Sequence, residues 1–167
     1  MNNKYFAVLI TISVCASNAY AQDSTNPINK YKDMVKLMGG HTIAYKAMKK
    51  KIQKSKHENP QYSHFYECMD RKITENTFIE MTAPIFRKKY TEEEADAVIT
   101  FFTSSTGKKV SYSMATGSKL HLTDSNEKKK FNDFGAKYMN KNRLKLIYGD
   151  IQKEAFKYQN ELVRKCS

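Results

Sequence analysis

Apolar residues recur every three or four positions along most of this chain, the period of a helix that buries one face. Tyr31, Met34/Val35, Met38, Thr42, Tyr45, Met48 and Ile52 form the first such stripe. Asn26-Pro27 places an N-cap before it and a proline at the first helical position, where a missing N–H costs nothing. Gly39-Gly40 interrupts the stripe and is expected to bend the helix or admit a neighbouring backbone. After a polar connection, Asn59-Pro60 repeats the same start. Tyr62, Phe65/Tyr66, Met69 and Ile73 then continue a second helix, which Pro84 should end or kink.

Thr91 and Glu94 have the spacing of a capping box, in which the hydroxyl and the carboxylate each accept from the other residue's amide. Ala95, Val98/Ile99 and Phe102 are the apolar stripe of the helix it opens. Ser104 or Ser105 should cap the next helix, which carries Val110 and Met114 toward Gly117. Asp124-x-x-Glu127 marks a further start. Phe131 and Phe134 stand at the same offsets from Asp124 as Val98 and Phe101 do from Thr91. Leu144, Ile147/Tyr148, Ile151, Ala155, Tyr158 and Leu162 define the last helix. The pattern predicts an all-α, single-domain bundle of six to seven helices. Its expected core includes Tyr45, Phe65, Met69, Val98, Phe102, Phe134, Ile151 and Tyr158.

The N-terminus follows a different pattern. Lys4 precedes an apolar run from Phe6 to Ala16, and Ala19-Tyr20-Ala21 is a small-x-small cleavage site. The run is shorter than the ~20 apolar residues that span a bilayer. Residues 1–21 are therefore expected to be a cleaved signal peptide and residues 22–167 one helical domain, periplasmic or secreted, with no transmembrane segment. Val14 before Cys15 does not fit a lipoprotein site. Cleavage leaves Cys68 and Cys166, and an oxidising compartment favours a disulfide between them. His64 and Cys68 are four apart on a helix, but a metal needs three or four ligands and the chain offers no further cluster. No metal or cofactor is expected.

Charge changes the choice of partner more than the choice of fold. Lys and Arg number 29 against 17 Asp and Glu, a net charge of +12. Export excludes nucleic acid as the partner and leaves membranes, wall polymers and acidic proteins. Lys49-Lys50-Lys51 and Lys128-Lys129-Lys130 wrap around a helix instead of lining one face, which fits solubility better than a docking surface.

Ser104 to Lys109 resembles the end of a phosphate loop, but Phe102 takes the first glycine position and Lys109 replaces the Ser/Thr of that motif. This is helix punctuation. Glu92, Glu93 and Glu94 oppose the positive end of their helix, which gives them a structural role. The histidines at 41, 57, 64 and 121 are scattered singly, and no catalytic residue is assigned.

Tyr90-Thr91-Glu92-Glu93-Glu94, Phe101-Phe102, Ser104 and Gly107-Lys108-Lys109 together resemble the signature of domain of unknown function 2059. The likeness runs from about residue 70 to residue 118. It implies a small exported bacterial helical protein and transfers no catalytic residue. The expectation is a non-enzymatic protein-interaction module with a protein partner in the bacterial envelope. The alternatives are a binder of an anionic membrane or wall surface, or an immunity-type inhibitor of an envelope-targeted toxin.

Overall fold

The computed structural model describes residues 27–167, and no strand occurs among them. The expected signal segment and its cleavage site lie outside these residues. Eight α-helices follow in order, not the six to seven expected from the pattern: α1 Pro27–Met38, α2 Gly40–Glu58, α3 Ser63–Lys72, α4 Glu75–Lys89, α5 Glu92–Thr103, α6 Ser105–Thr116, α7 Ser125–Tyr138 and α8 Lys141–Cys166. A single 3-10 turn, Pro60–Tyr62, joins α2 to α3.

Two breaks account for the higher count. Gly39 takes a left-handed φ of 76°, which ends α1 and lets α2 leave in a new direction. A Cβ there would lie 2.9 Å from the Ser111 carbonyl oxygen of α6, so the glycine also admits a neighbouring backbone. The second break falls at Ile73, whose extended backbone ends α3. Thr74 then caps α4 in a reciprocal box with Thr77. The sequence rule looks for Glu or Gln at that third position and passes over a threonine.

Pro84, expected to end or kink the second helix, sits inside α4, which runs on for five residues to Lys89. An interior proline costs ~3 kcal/mol. Ala83, Ile85 and Phe86 beside it are all buried, and that burial offsets the lost bond.

The buried residues form two clusters. The larger gathers Tyr31, Met34, Ala83, Phe86, Val98, Phe102, Val110, Phe134 and Ile147 from six helices. The smaller joins Ile52, Met69, Ile73, Phe78 and Leu162. Met69, Val98, Phe102 and Phe134 are buried as expected, whereas Tyr45, Phe65, Ile151 and Tyr158 are partly covered and pack against a cluster. Tyr62, Leu144 and Tyr148, which the stripes assigned to helix faces turned inward, are exposed. Phe101 and Phe134, the residues at matching offsets from Thr91 and Asp124, stack with ring centroids 3.7 Å apart. The structure joins Cys68 to Cys166, with Cα atoms 5.7 Å apart, so the end of α8 is fastened to the middle of α3.

Candidate functional site

Helices α2 and α8 both pack on α4, yet their Cα atoms nowhere come within 8 Å of each other. Between them runs an apolar groove. Phe78, Met81, Thr82 and Phe86 of α4 form its floor, together with Ile147 of α8 and Val35 and Met38 of α1. Gly40, His41 and Ala44 make one wall, and Leu144, Tyr148 and Ile151 make the other. Met114 of α6 approaches Gly40 at the edge of this lining. The cavity measures ≈ 640 Å³. It continues past Phe78 and Met81 into a second hollow of ≈ 290 Å³, bordered by Ala47, Met48, Lys51 and Ala155. From Lys141 to Ala155 the groove follows α8 for about 21 Å at the helical rise.

The spacing that reads as a buried stripe places these residues on one face of each helix. Leu144, Tyr148, Ile151 and Ala155 are separated by three or four positions along α8; on α2, Ala47 and Met48 each stand three or four positions from both Ala44 and Lys51. What differs from an ordinary core is that nothing among the described residues covers the two faces. Cations alone supply charge: Lys141 and Lys145 at one end and Lys51 at the other, with no carboxylate in either lining. His41 accompanies them, with Nδ1 3.2 Å from the Val35 carbonyl oxygen.

A polar network fixes the first turn of α8 beside this groove. Thr91 Oγ1 accepts from the Glu94 amide, and Glu94 Oε2 accepts from the Thr91 amide at 3.0 Å, completing the capping box. Glu94 Oε1 also accepts from Arg143 Nη2 at 2.8 Å. The Arg143 guanidinium lies 4.7 Å from the centre of the Tyr90 ring. Tyr90 in turn donates to the Tyr138 carbonyl, and Tyr31 donates to the Tyr90 carbonyl. Glu94 therefore ties α8 to the start of α5. The Thr91 amide, and then Arg143, hold its carboxyl below the usual glutamate range, while partial burial opposes them.

A carboxylate with a depressed pKa stabilises the fold above its unfolded pKa and loses that contribution as pH falls through the folded value. Glu94→Gln should keep the cap, because glutamine can fill the same box, and lose the charge pairing. We expect it to lower stability by about 1 kcal/mol at pH 7 and to flatten the loss of stability below about pH 4.5. Melting curves from pH 7 to pH 3 on both proteins provide the check, and identical acid limbs would contradict the assignment.

The sequence's remaining candidates fall elsewhere. Ser104 Oγ accepts from the Gly107 amide at 3.1 Å and donates to the Phe101 carbonyl at 2.6 Å, so the apparent phosphate loop is a helix junction. Lys109 of that stretch pairs with Glu127 of α7 at 2.7 Å. His57, His64 and His121 lie away from the groove lining. Sequence reasoning did not find the groove, because its residues read individually as core.

Residues 76–116 match a bacterial family described as an uncharacterized protein conserved in bacteria, DUF2059. That segment supplies α4 to α6, and with them Phe78, Met81, Thr82, Phe86 and Met114 of the groove. No curated protein and no solved structure matches the chain.

Proposed function

We propose that this chain is a non-enzymatic binding module of the bacterial envelope, exported by its N-terminal segment, which takes the apolar part of a partner into the groove between α2 and α8. The groove itself carries this reading. A recessed, mostly apolar surface with few polar groups is the usual form of a ligand site, and ≈ 640 Å³ lies within the ordinary range of ~300–1,000 Å³. Met38, Met81 and Met114 line it, and methionine's unbranched, polarisable side chain adapts to different apolar shapes. His41 faces no carboxylate there, so the lining lacks the paired acid and base that proton-transfer chemistry uses. Attraction of the whole surface to an anionic polymer is the weaker reading. Lys30, Lys32, Lys49, Lys56, Lys89 and Lys109 are each within 3.0 Å of a carboxylate of the chain itself.

Ala44 is exposed and borders both hollows, so a large side chain there fills the groove without disturbing the buried clusters. N-phenyl-1-naphthylamine, an uncharged apolar fluorophore, should bind residues 22–167 saturably at one site. Ala44→Trp should weaken that binding at least tenfold, about 1.4 kcal/mol, with the melting temperature unchanged. Absence of saturable binding, or equal binding by the variant, would sink the reading.

A further inference from the structure

We propose that the occupant of the groove is the acyl chain of a single-chain anionic lipid, with its carboxylate or phosphate head held by Lys141 and Lys145. The assignment rests on the groove being the binding site. Three observations go further and select the occupant.

The first is the width of the groove. Ile147 and Val35 are each only 3% exposed and Phe86 5%, although all three form its floor. A trough wide enough for an α-helix, ~10 Å across with its side chains, would leave such a floor open to water. A slot that hides most of its floor, leaving only Met81 and Thr82 half-buried, suits a single hydrocarbon chain. The second is its course: beyond the main cavity a smaller hollow of ≈ 290 Å³ continues along Ala44, Ala47 and Ala155, whose small side chains leave a mostly apolar strip there.

The third is charge. Lys141 and Lys145 lie one turn apart on α8 at the mouth of the main cavity, and neither has a carboxylate partner among the described residues. Arg143 between them is already held by Glu94. The first turn of α8 contains no acidic residue, although the positive end of a helix favours one. Lys141 there disfavours the free helix, with Lys145 one turn further on, and a bound anion reverses the sign of that effect. The lipid head supplies the negative charge that the first turn of α8 lacks.

The test displaces N-phenyl-1-naphthylamine from residues 22–167 with tetradecanoate, tetradecanol and tetradecyltrimethylammonium, each kept below its micellar concentration. Tetradecanoate should displace the fluorophore at about tenfold lower concentration than the cationic amphiphile, as two exposed charge pairs supply. The double reversal Lys141→Glu, Lys145→Glu should invert that order, with each displacement measured against that variant's own affinity for the uncharged fluorophore. An order that is the same in both proteins overturns the head assignment, and fluorophore binding sensitive to Ala44→Trp would still uphold the groove. A leucine–glutamate amphipathic helical peptide that displaces the fluorophore where tetradecanoate fails would assign the groove to a protein helix and overturn the lipid. Loss of fluorophore binding altogether would remove the functional reading beneath both.

Discussion

Replacing Gly107 with alanine should destabilise this protein by about 3 kcal/mol, the upper end of the usual range for forced overpacking. Gly107 sits in the first turn of α6, where that helix crosses the end of α5. An added Cβ would lie 1.9 Å from the Phe101 carbonyl oxygen and 2.5 Å from the Phe102 Cα. Both are backbone atoms, so no side chain can swing aside. Relief requires α6 to move away from α5, which would open the contact at Phe102, only 2% exposed, and break the bond from the Gly107 amide to Ser104 Oγ. For a domain of this size 1 kcal/mol corresponds to about 2–4 °C, so the melting temperature should fall by roughly 10 °C. Gly149→Ala is the control. Nothing lies within 4 Å of its added Cβ inside α8, and the change should be neutral or stabilising by up to ~1 kcal/mol. Equal melting temperatures for Gly107→Ala and the parent would refute the close approach.

Removing the disulfide by Cys68→Ser and Cys166→Ser should have an effect of similar size. The two residues are 98 positions apart, and closing a loop of ~100 residues restricts the unfolded chain by up to ~4.7 kcal/mol. The folded side of the balance is local. The last turns of α8 are held by Leu162 in the smaller cluster and by Tyr158, whose hydroxyl donates to the Lys72 carbonyl at 3.3 Å. Without the bond those turns should exchange amide hydrogens faster, while the first turn, fixed by Arg143 and Glu94, keeps its protection. The expected result is a melting temperature lower by about 10 °C with the helical circular dichroism spectrum retained at low temperature. An unchanged melting temperature would mean that the remaining packing alone fastens α8. Because α8 forms one wall of the groove, the same variant should also bind N-phenyl-1-naphthylamine more weakly.

The features that could be read in advance are those set by neighbours in sequence. The Thr91–Glu94 box, the Ser104 cap and the Gly117 helix end each need only a few consecutive residues, and the structure shows all three. The helical stripes were legible for the same reason. Features settled by distant packing were not. Pro84 reads as a stop until Ala83, Ile85 and Phe86 are seen to be buried around it. Thr74 reads as an ordinary polar residue until Thr77 bonds back to it.

The groove belongs to this second kind. Periodicity correctly put Leu144, Tyr148 and Ile151 on one face of α8, and Tyr45 and Met48 on the inner side of α2. It could not say that α4 would hold the two helices apart and leave part of those faces uncovered. Lys141 and Lys145 likewise read as solvated charge until α8 places them at the mouth of an apolar slot.

The methionines allow the central claim to be tested in one measurement. Met38, Met81 and Met114 border the main cavity, Met38 from within the larger cluster, and Met48 the smaller one, whereas Met34 and Met69 are buried in the clusters and line neither hollow. Methyl-labelled methionine and tetradecanoate, observed by nuclear magnetic resonance, should give direct ligand-to-methyl contacts at Met38, Met81 and Met114 and none at Met34 or Met69. Ligand contacts confined to other surfaces, such as the hollow formed by Lys108, Tyr112 and His121, would contradict the claim that the groove between α2 and α8 is the binding site.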